Sequence, residues 1–486
     1  GFAREYGRIT GLEARAVGVH LNFAPVLDVN SNPLNPIINT RSFGEDPQAV
    51  ARLGSAYLEG AREGGVLATA KHFPGHGDTR TDSHVELPVV AADRNRLEAV
   101  ELVPFRRAVE EGVDAVMTAH VAAPEILGPQ GPPATLSPFF LTELLRDDMG
   151  FEGLLLTDAI RMRAISQGYG VGESAVLALE AGADIILAPA DIPTTIDAVE
   201  DAVLSGRISR DRLNESVRRL LEMKARVGLH RSRVVNVGRV AEVVGSAEHL
   251  ALADSAASRS ITMPRDRDGL VPLDPGTYPR VLHVIYSRLE DLAAGRTLTS
   301  SLGVYFRALT TRRLTPQAFL ADYEELEWLR EKSDLVVVSA FVSPRSGAGE
   351  VAVPEAFARF AGESSHRRPT VVLSLGNPYL LTSFPDVGTY LLAWGPREVS
   401  QRAAARALVG ETPITGRLPI SIPPFHRMGD GLQTSAVPRV PRLGLAAEQE
   451  LEIGILPREE EAPEVAETPS AHGSPVVSSL EVDPSR

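Results

Sequence analysis

Residues 66–90, VLATAKHFPGHGDTRTDSHVELPVV, crowd more proton-handling side chains together than any other part of the chain. The apolar run Val66 to Ala70 reads as a buried strand, and Lys71, His72, His76, Asp78, Asp82 and His84 follow it. Pro74, Gly75, Gly77 and Ser83 keep that polar stretch irregular. Barrel enzymes build sites this way, with charged side chains delivered at the C-terminal ends of parallel strands. Asp82 precedes His84 by two residues. A carboxylate so placed can fix an imidazole's tautomer and raise its pKa. Because imidazole titrates near neutrality, the pair could give a proton to a leaving oxygen and take one back from water. The plain alternative for Asp-x-His is a solvated turn. Asp158 closes LLLTD, a second strand whose end would share the same rim. Its plain alternative is a helix cap. Lys71 at the end of a buried strand is costly unless it pairs or faces a wet cleft. His76 and Asp78 read as loop-shaping residues, and His120, ending the strand 115–121, as their neighbour on the rim.

The same letters admit a metal centre. His72, His76, Asp78 and His84 could ligate one, since metal hydrolases also use barrel rims. Their spacing matches no helix-borne H-E-x-x-H, and no H-x-H lies on the first visible strand, so no metal is expected.

The elements around these residues alternate. A helix over 3–17 precedes a strand at 22–29, and Asp46-Pro47 opens a helix that Gly64-Gly65 stop. Further strands are expected at 66–71, 115–121, 153–159 and 183–189, with helices at 94–110, 137–149, 173–181 and 193–204 between and after them. Near-continuous apolar strands alternating with helices predict a parallel sheet covered by helices. Five strands fall short of the eight of a closed barrel. The expected organisation is an incomplete (β/α)8 barrel over 1–210, a helical connector over 211–260 and an α/β/α sandwich over 261–430, followed by an acidic Pro/Ser-rich disordered tail or linker over 431–486. The sandwich rests on strands at 280–286, 335–342, 370–375 and 389–394, with helices at 315–332 and 397–409. Gly376 and Asn377 read as a plain turn, since a phosphate loop would need a lysine there.

K-H-F-P-G-H-G-D-T followed by D-S-H resembles the signature of bacterial β-N-acetylglucosaminidases of glycoside hydrolase family three. N-T-R-S-F-G-E-D-P, T-D-A-I-R-M, LSLGNPYLL and GETPITGRLPISIP are similar to other parts of two-domain members. The resemblance spans about 1–425. It implies a retaining exo-glycosidase acting on terminal β-linked GlcNAc, from peptidoglycan fragments or chitin pieces. It assigns Asp158 as nucleophile, His84 with Asp82 as acid/base pair, and Lys71, His72 and Arg41 as sugar ligands, with no cofactor. The plain alternative for Arg41 is a salt bridge to Glu45 or Asp46. Phosphorolysis is one rival activity, because a histidine donor in its neutral form leaves room for an anionic acceptor. A β-glucosidase or xylosidase of the family is another, although those relatives take their acid from the second domain. The family's upstream D-Q-E-G-G-like segment, whose aspartate grips the sugar, is not in this chain. That places three barrel strands upstream of Gly1 and leaves an intact barrel, and the activity of this exact chain, open.

The net charge of −14 argues against a nucleic-acid partner, and residues 447–486 alone contribute −8. The absence of cysteine excludes disulfides, thiolate metal sites and cysteine nucleophiles. No apolar run approaches the ~20 residues of a membrane span. Compartment (bacterial cytoplasm, or cell envelope and beyond) and oligomeric state stay open.

Overall fold

Four parallel strands carry the first half: β1 (Leu21–Asn22), β2 (Leu67–Phe73), β3 (Ala115–Thr118) and β4 (Leu154–Leu156), hydrogen-bonded in that order. The computed structural model describes residues 1–345 and 351–439; 1–450 form one compact unit, and 451–486 a second that lies outside the described residues. The expected tail at 431–486 therefore falls outside them from residue 440 onward.

β2, β3 and β4 are buried on both faces, as their largely apolar sequences require, while β1 is half-buried. Helices Phe2–Ala16, Pro47–Glu63 and Val171–Ala181 match expectation, and Asp46 caps the second by accepting from the Gln48 N–H. The helix expected at 94–110 is interrupted. Leu97–Glu101 is π-helical, with the Leu102 N–H reaching back to the Leu97 carbonyl (2.9 Å) just before Pro104, which has no N–H to return.

The strand expected at 183–189 is reduced to one parallel bridge, Ile185 to Leu156. Side chains interleave with the backbone bonds that remain, such as Thr157 N–H to the Ile185 carbonyl (3.0 Å): Asp184 Oδ2 accepts from the Leu155 N–H (3.0 Å) and Thr157 Oγ1 from the Leu187 N–H (2.9 Å). Asp184 is itself neutralised from the connector. Helix Arg210–Arg226 brings Arg219 (3.1 Å) and Ser216 (2.5 Å) to one of its oxygens, and Arg146 (2.7 Å) reaches the other. The same helix packs Leu220 and Met223 against Leu154, Leu156 and Ala115. It is part of the core beneath the sheet as well as a connector.

The second half is a six-stranded mixed sheet, β5 (Thr262–Asp266), β6 (Arg280–Tyr286), β7 (Ala308–Leu314), β8 (Leu335–Ala340), β9 (Thr370–Ser374) and β10 (Thr389–Leu392). The order is β5-β10-β9-β8-β6-β7, parallel except for β5. Sequence periodicity missed β5 and β7. β7 is an edge strand, buried only at Leu314, so it lacks the apolar run that marks its neighbours. Helices cover both faces, Arg296–Gly303 and Glu398–Leu408 over one cluster, Leu320–Glu331 and Glu355–Arg367 over the other.

Buried on β6, His283 is bonded to Thr299 Oγ1 (2.9 Å) and Ser339 Oγ (2.8 Å), and burial pushes its pKa down to about 3. From about pH 6.5 downward the unfolded chain binds a proton that folded His283 refuses, so stability present above that pH is lost on acidification, at up to ~1.4 kcal/mol per pH unit. Urea unfolding at pH 6.5, 5.5 and 4.5 should show a steeper loss for the parent than for His283→Asn. Parallel slopes would mean that His283 is not held neutral.

Candidate active site

The site is built around Asp28, which follows β1 and is completely buried. The β2–β3 ladder slips between Lys71 and Phe73, so His72 drops out of register and its N–H needs another acceptor. Asp28 supplies it (3.3 Å) and also takes the His76 N–H (2.7 Å) and the His72 ring Nδ1 (2.7 Å). Burial alone would push this carboxyl up. Against burial, the hydrogen bond from the His72 ring and the N–H of His76 hold it below its ordinary value. Since an ionised carboxylate only accepts, Nδ1 carries the proton, and His72 Nε2 is left to face Arg41 Nη2 (3.4 Å).

Beyond Asp28 the loop is pinned at several points. Asn35 Nδ2 donates to the carbonyls of His76 (2.8 Å) and Gly77 (3.1 Å), while its Oδ1 accepts from the N–H groups of Ile37 and Ile38. His76 meets Thr79 Oγ1 (2.7 Å), and burial lowers its pKa to about 4. Asp78 pairs with Arg96 (3.1 Å). His76 and Asp78 thus shape the loop, as their sequence positions indicated.

Asp82 is buried, and one of its oxygens accepts from both the backbone N–H and the Nδ1 of His84 (2.8 Å each). The His84 side chain stays 36% exposed while its Nδ1 is fixed on Asp82. The pair is a buried carboxylate under an accessible imidazole, unlike a solvated turn.

Asp158 follows β4 and accepts from the Ala159 N–H (2.7 Å). It caps no helix: the next one, Arg163–Ser166, begins after Met162 and has no side-chain cap. Burial would raise its pKa, but its neighbours His72 and His120, the Ala159 N–H and the Lys71 ammonium bring it below the ordinary value. Lys71 is pushed down by burial and by Arg41, against the pull of Asp158 and Asp28. His120 donates from Nε2 to the Ala159 carbonyl (3.1 Å), and burial holds its pKa below the ordinary value against the pull of Asp158. The two segments touch directly, the Ala164 N–H donating to the Ser83 carbonyl (3.4 Å).

Arg41 bonds the Ile37 carbonyl (3.1 Å) and faces His72, whereas Glu45 accepts from Ser421 and Asp46 from Gln48. The four side chains that could have shared a metal turn to four different partners, Asp28, Thr79, Arg96 and Asp82. Among the described residues no group of three or more His, Asp or Glu is placed to hold one.

Residues 1–223 match the Glycosyl hydrolase family 3 N terminal domain. A β-N-acetylglucosaminidase/β-glucosidase of Cellulomonas fimi is 30% identical over 442 residues, which cover 86% of this chain and 77% of the relative. The chain belongs to glycosyl hydrolase family 3. This family 3 glycosidase also resembles the solved β-N-acetylglucosaminidase of Paenibacillus sp. str. FPU-7, at 34% identity and TM-score 0.76, covering 86% of this chain and 80% of that one. A β-glucoside phosphorylase, BglX, gives TM-score 0.77 at 28% identity, covering 86% and 78%.

Two sets of residues in the glycosidase escaped sequence reasoning. Asp28 looked like an ordinary strand end; the available signal was an acidic residue in an apolar strand with no basic partner nearby in sequence. The asparagines of NSNPLNPIIN lie in a loop that carries no local signal of a partner. Asn30 and Asn39 instead reach Tyr379 (2.7 Å) and Asn377 (3.0 Å) of the second half.

Asp28→Asn would set an NH2 group against the N–H donors from which one carboxylate oxygen now accepts. It should destabilise the protein by about 2–4 kcal/mol in denaturant unfolding, since truncating a buried charged hub strands its partners. A loss under about 0.5 kcal/mol would show that Asp28 is not the hub.

Proposed function

We propose that this family 3 glycosidase is a retaining exo-β-N-acetylglucosaminidase acting on terminal β-linked GlcNAc of peptidoglycan fragments or chito-oligosaccharides. The reading rests most on one observation: an accessible imidazole bonded through Nδ1 to a buried carboxylate, in a segment hydrogen-bonded to the one that carries Asp158. The Cellulomonas and Paenibacillus relatives are named for the same glycoside. The framework proposed for it is an incomplete (β/α)8 barrel over 1–210, a connector over 211–260 and an α/β/α sandwich over 261–430.

In the first step an Asp158 oxygen attacks the anomeric carbon as the bond to the leaving oxygen breaks, and protonated His84 gives that oxygen its Nε2 proton. Asp82 keeps Nδ1 protonated and stabilises the imidazolium before transfer. In the second step neutral His84 takes a proton from water, whose oxygen replaces Asp158 at the anomeric carbon. Asp158 is suited to attack because its depressed pKa keeps it ionised. Lys71, His72 and Arg41 hold the sugar hydroxyls, with His72 Nε2 as acceptor and the two cations as donors.

Phosphorolysis is the second reading, favoured by the likeness to a β-glucoside phosphorylase. Once His84 has lost its proton the acid/base group is neutral, and a phosphate oxygen could take the place of water without meeting a carboxylate.

Turnover of an aryl β-N-acetylglucosaminide should exceed that of the matching aryl β-glucoside. His84→Ala should cost about 10²–10⁴-fold with substrates that have poor leaving groups, and Asp158→Ala at least as much. Parent-like rates on an unactivated disaccharide in either variant would remove the assigned role. A glycosyl phosphate product, formed at a rate that rises with phosphate, would replace hydrolysis by phosphorolysis.

A further inference from the structure

We propose that Asn377, in the turn after β9, is a positioning residue for Arg41, so that the second half of the chain sets the aim of a sugar contact in the first. The Asn377 amide has no freedom to flip. Its Oδ1 accepts from the Tyr379 N–H (3.0 Å) and its Nδ2 donates to the Val351 carbonyl (2.6 Å), both backbone groups of fixed polarity. Oδ1 is therefore the atom presented to Asn39, whose Nδ2 donates to it in a buried bond (3.0 Å). Asn39 is oriented in turn, because its own Oδ1 accepts from the Thr40 N–H (2.8 Å).

A second buried contact doubles the first. Asn30 Nδ2 donates to the Tyr379 hydroxyl (2.7 Å), and Asn30 Oδ1 accepts from the Asn39 N–H (3.1 Å). Burial, with the nearby charge of Glu45, holds the Tyr379 phenol above its usual range, so it remains a neutral acceptor.

These bonds converge on the 3₁₀ turn Asn39–Arg41. Asn39 lies at φ +42°, a left-handed conformation that persists only where its surroundings enforce it. Arg41 is the last residue of that turn, and its guanidinium is a rigid fork at the end of a long stem. Any rotation of the turn is magnified at the fork, which spans the Ile37 carbonyl and His72 Nε2. A displacement of about 1 Å there can cost on the order of 10²-fold in rate.

The inference rests on the sugar-binding role proposed for Arg41, so the test is a double-mutant cycle on the full chain, reading kcat, KM and thermal unfolding with an aryl β-N-acetylglucosaminide. Asn377→Ala should lower kcat/KM by about tenfold in the parent, chiefly through KM, and by less than about twofold in the Arg41→Ala background, because a residue acting through another has nothing left to act on. An equal loss in both backgrounds, or a folded Asn377→Ala with parent-like kcat/KM, would overturn the proposal. If Arg41→Ala alone keeps parent-like kcat/KM, the Arg41 reading fails first and takes this one with it. Should Asn377→Ala not fold, Tyr379→Phe removes one hydroxyl from the same template, and the same outcomes decide.

Discussion

A carboxylate with no access to water has to be surrounded by donors or lose its charge. Asp28 meets that requirement with three donors, two from His72 near the end of β2 and one from His76 just after it. The consequence is geometric. The end of β1, the ladder slip in β2 and the first turn of the polar loop cannot move independently, because each holds part of one solvation shell. The Asn35 amide extends the lock to the Gly77 carbonyl, and Arg96 carries it to Asp78 and to Glu101, whose carboxyl is raised by burial and held by Arg96. Four residues past Asp78 comes Asp82. The Asp82–His84 pair is thus carried on a loop whose stem is pinned to a buried carboxylate.

The rim holds two carboxylate–imidazole pairs of the same chemistry in different solvent. In Asp28–His72 both side chains are buried, and the imidazole is committed to an internal partner with its remaining nitrogen turned to Arg41. In Asp82–His84 the carboxylate is buried but the imidazole is about a third exposed. A proton that must reach a leaving oxygen and later be recovered from water needs the second arrangement. The first suits a group that orients a hydroxyl and keeps one tautomer throughout. Exposure of the ring, more than the identity of the pair, separates the proposed roles.

Local sequence carried a good deal of this. Apolar runs located β2, β3, β4, β6, β8, β9 and β10, because strands buried on both faces leave few polar letters, and Asp46-Pro47 marked a helix start through its capping chemistry. The pairing of Asp82 with His84 was legible because a separation of two residues lets the side chain reach the ring locally. What failed had a long-range cause. The strand expected at 183–189 is reduced to one bridge, with Asp184 and Thr157 side chains bonding the neighbouring backbone. β7 was missed because only Leu314 in it is buried. Asp28 and the asparagines of 30–39 acquire their roles from partners 41 to 349 residues away, and composition has no access to such distances.

Gly376-Asn377 illustrates the last point furthest. As a local motif it is a turn between a strand and a 3₁₀ segment, and the strand rule that loops at C-terminal ends carry function found nothing catalytic there. In three dimensions the end of β9 meets the segment that follows β1, through amides whose orientations are all dictated by backbone partners. Each such bond adds only about 1 kcal/mol net, while each one left unmade costs up to about 3 kcal/mol. A network with those energetics contributes little to holding the two halves together. It excludes alternative registers instead: a shift of the Asn39–Arg41 turn would strand the Asn30 and Asn39 amides in a buried space together. The same asymmetry lets a chemically inert turn fix the aim of a charged side chain across two sheets, since the wrong aim is penalised more heavily than the right one is rewarded.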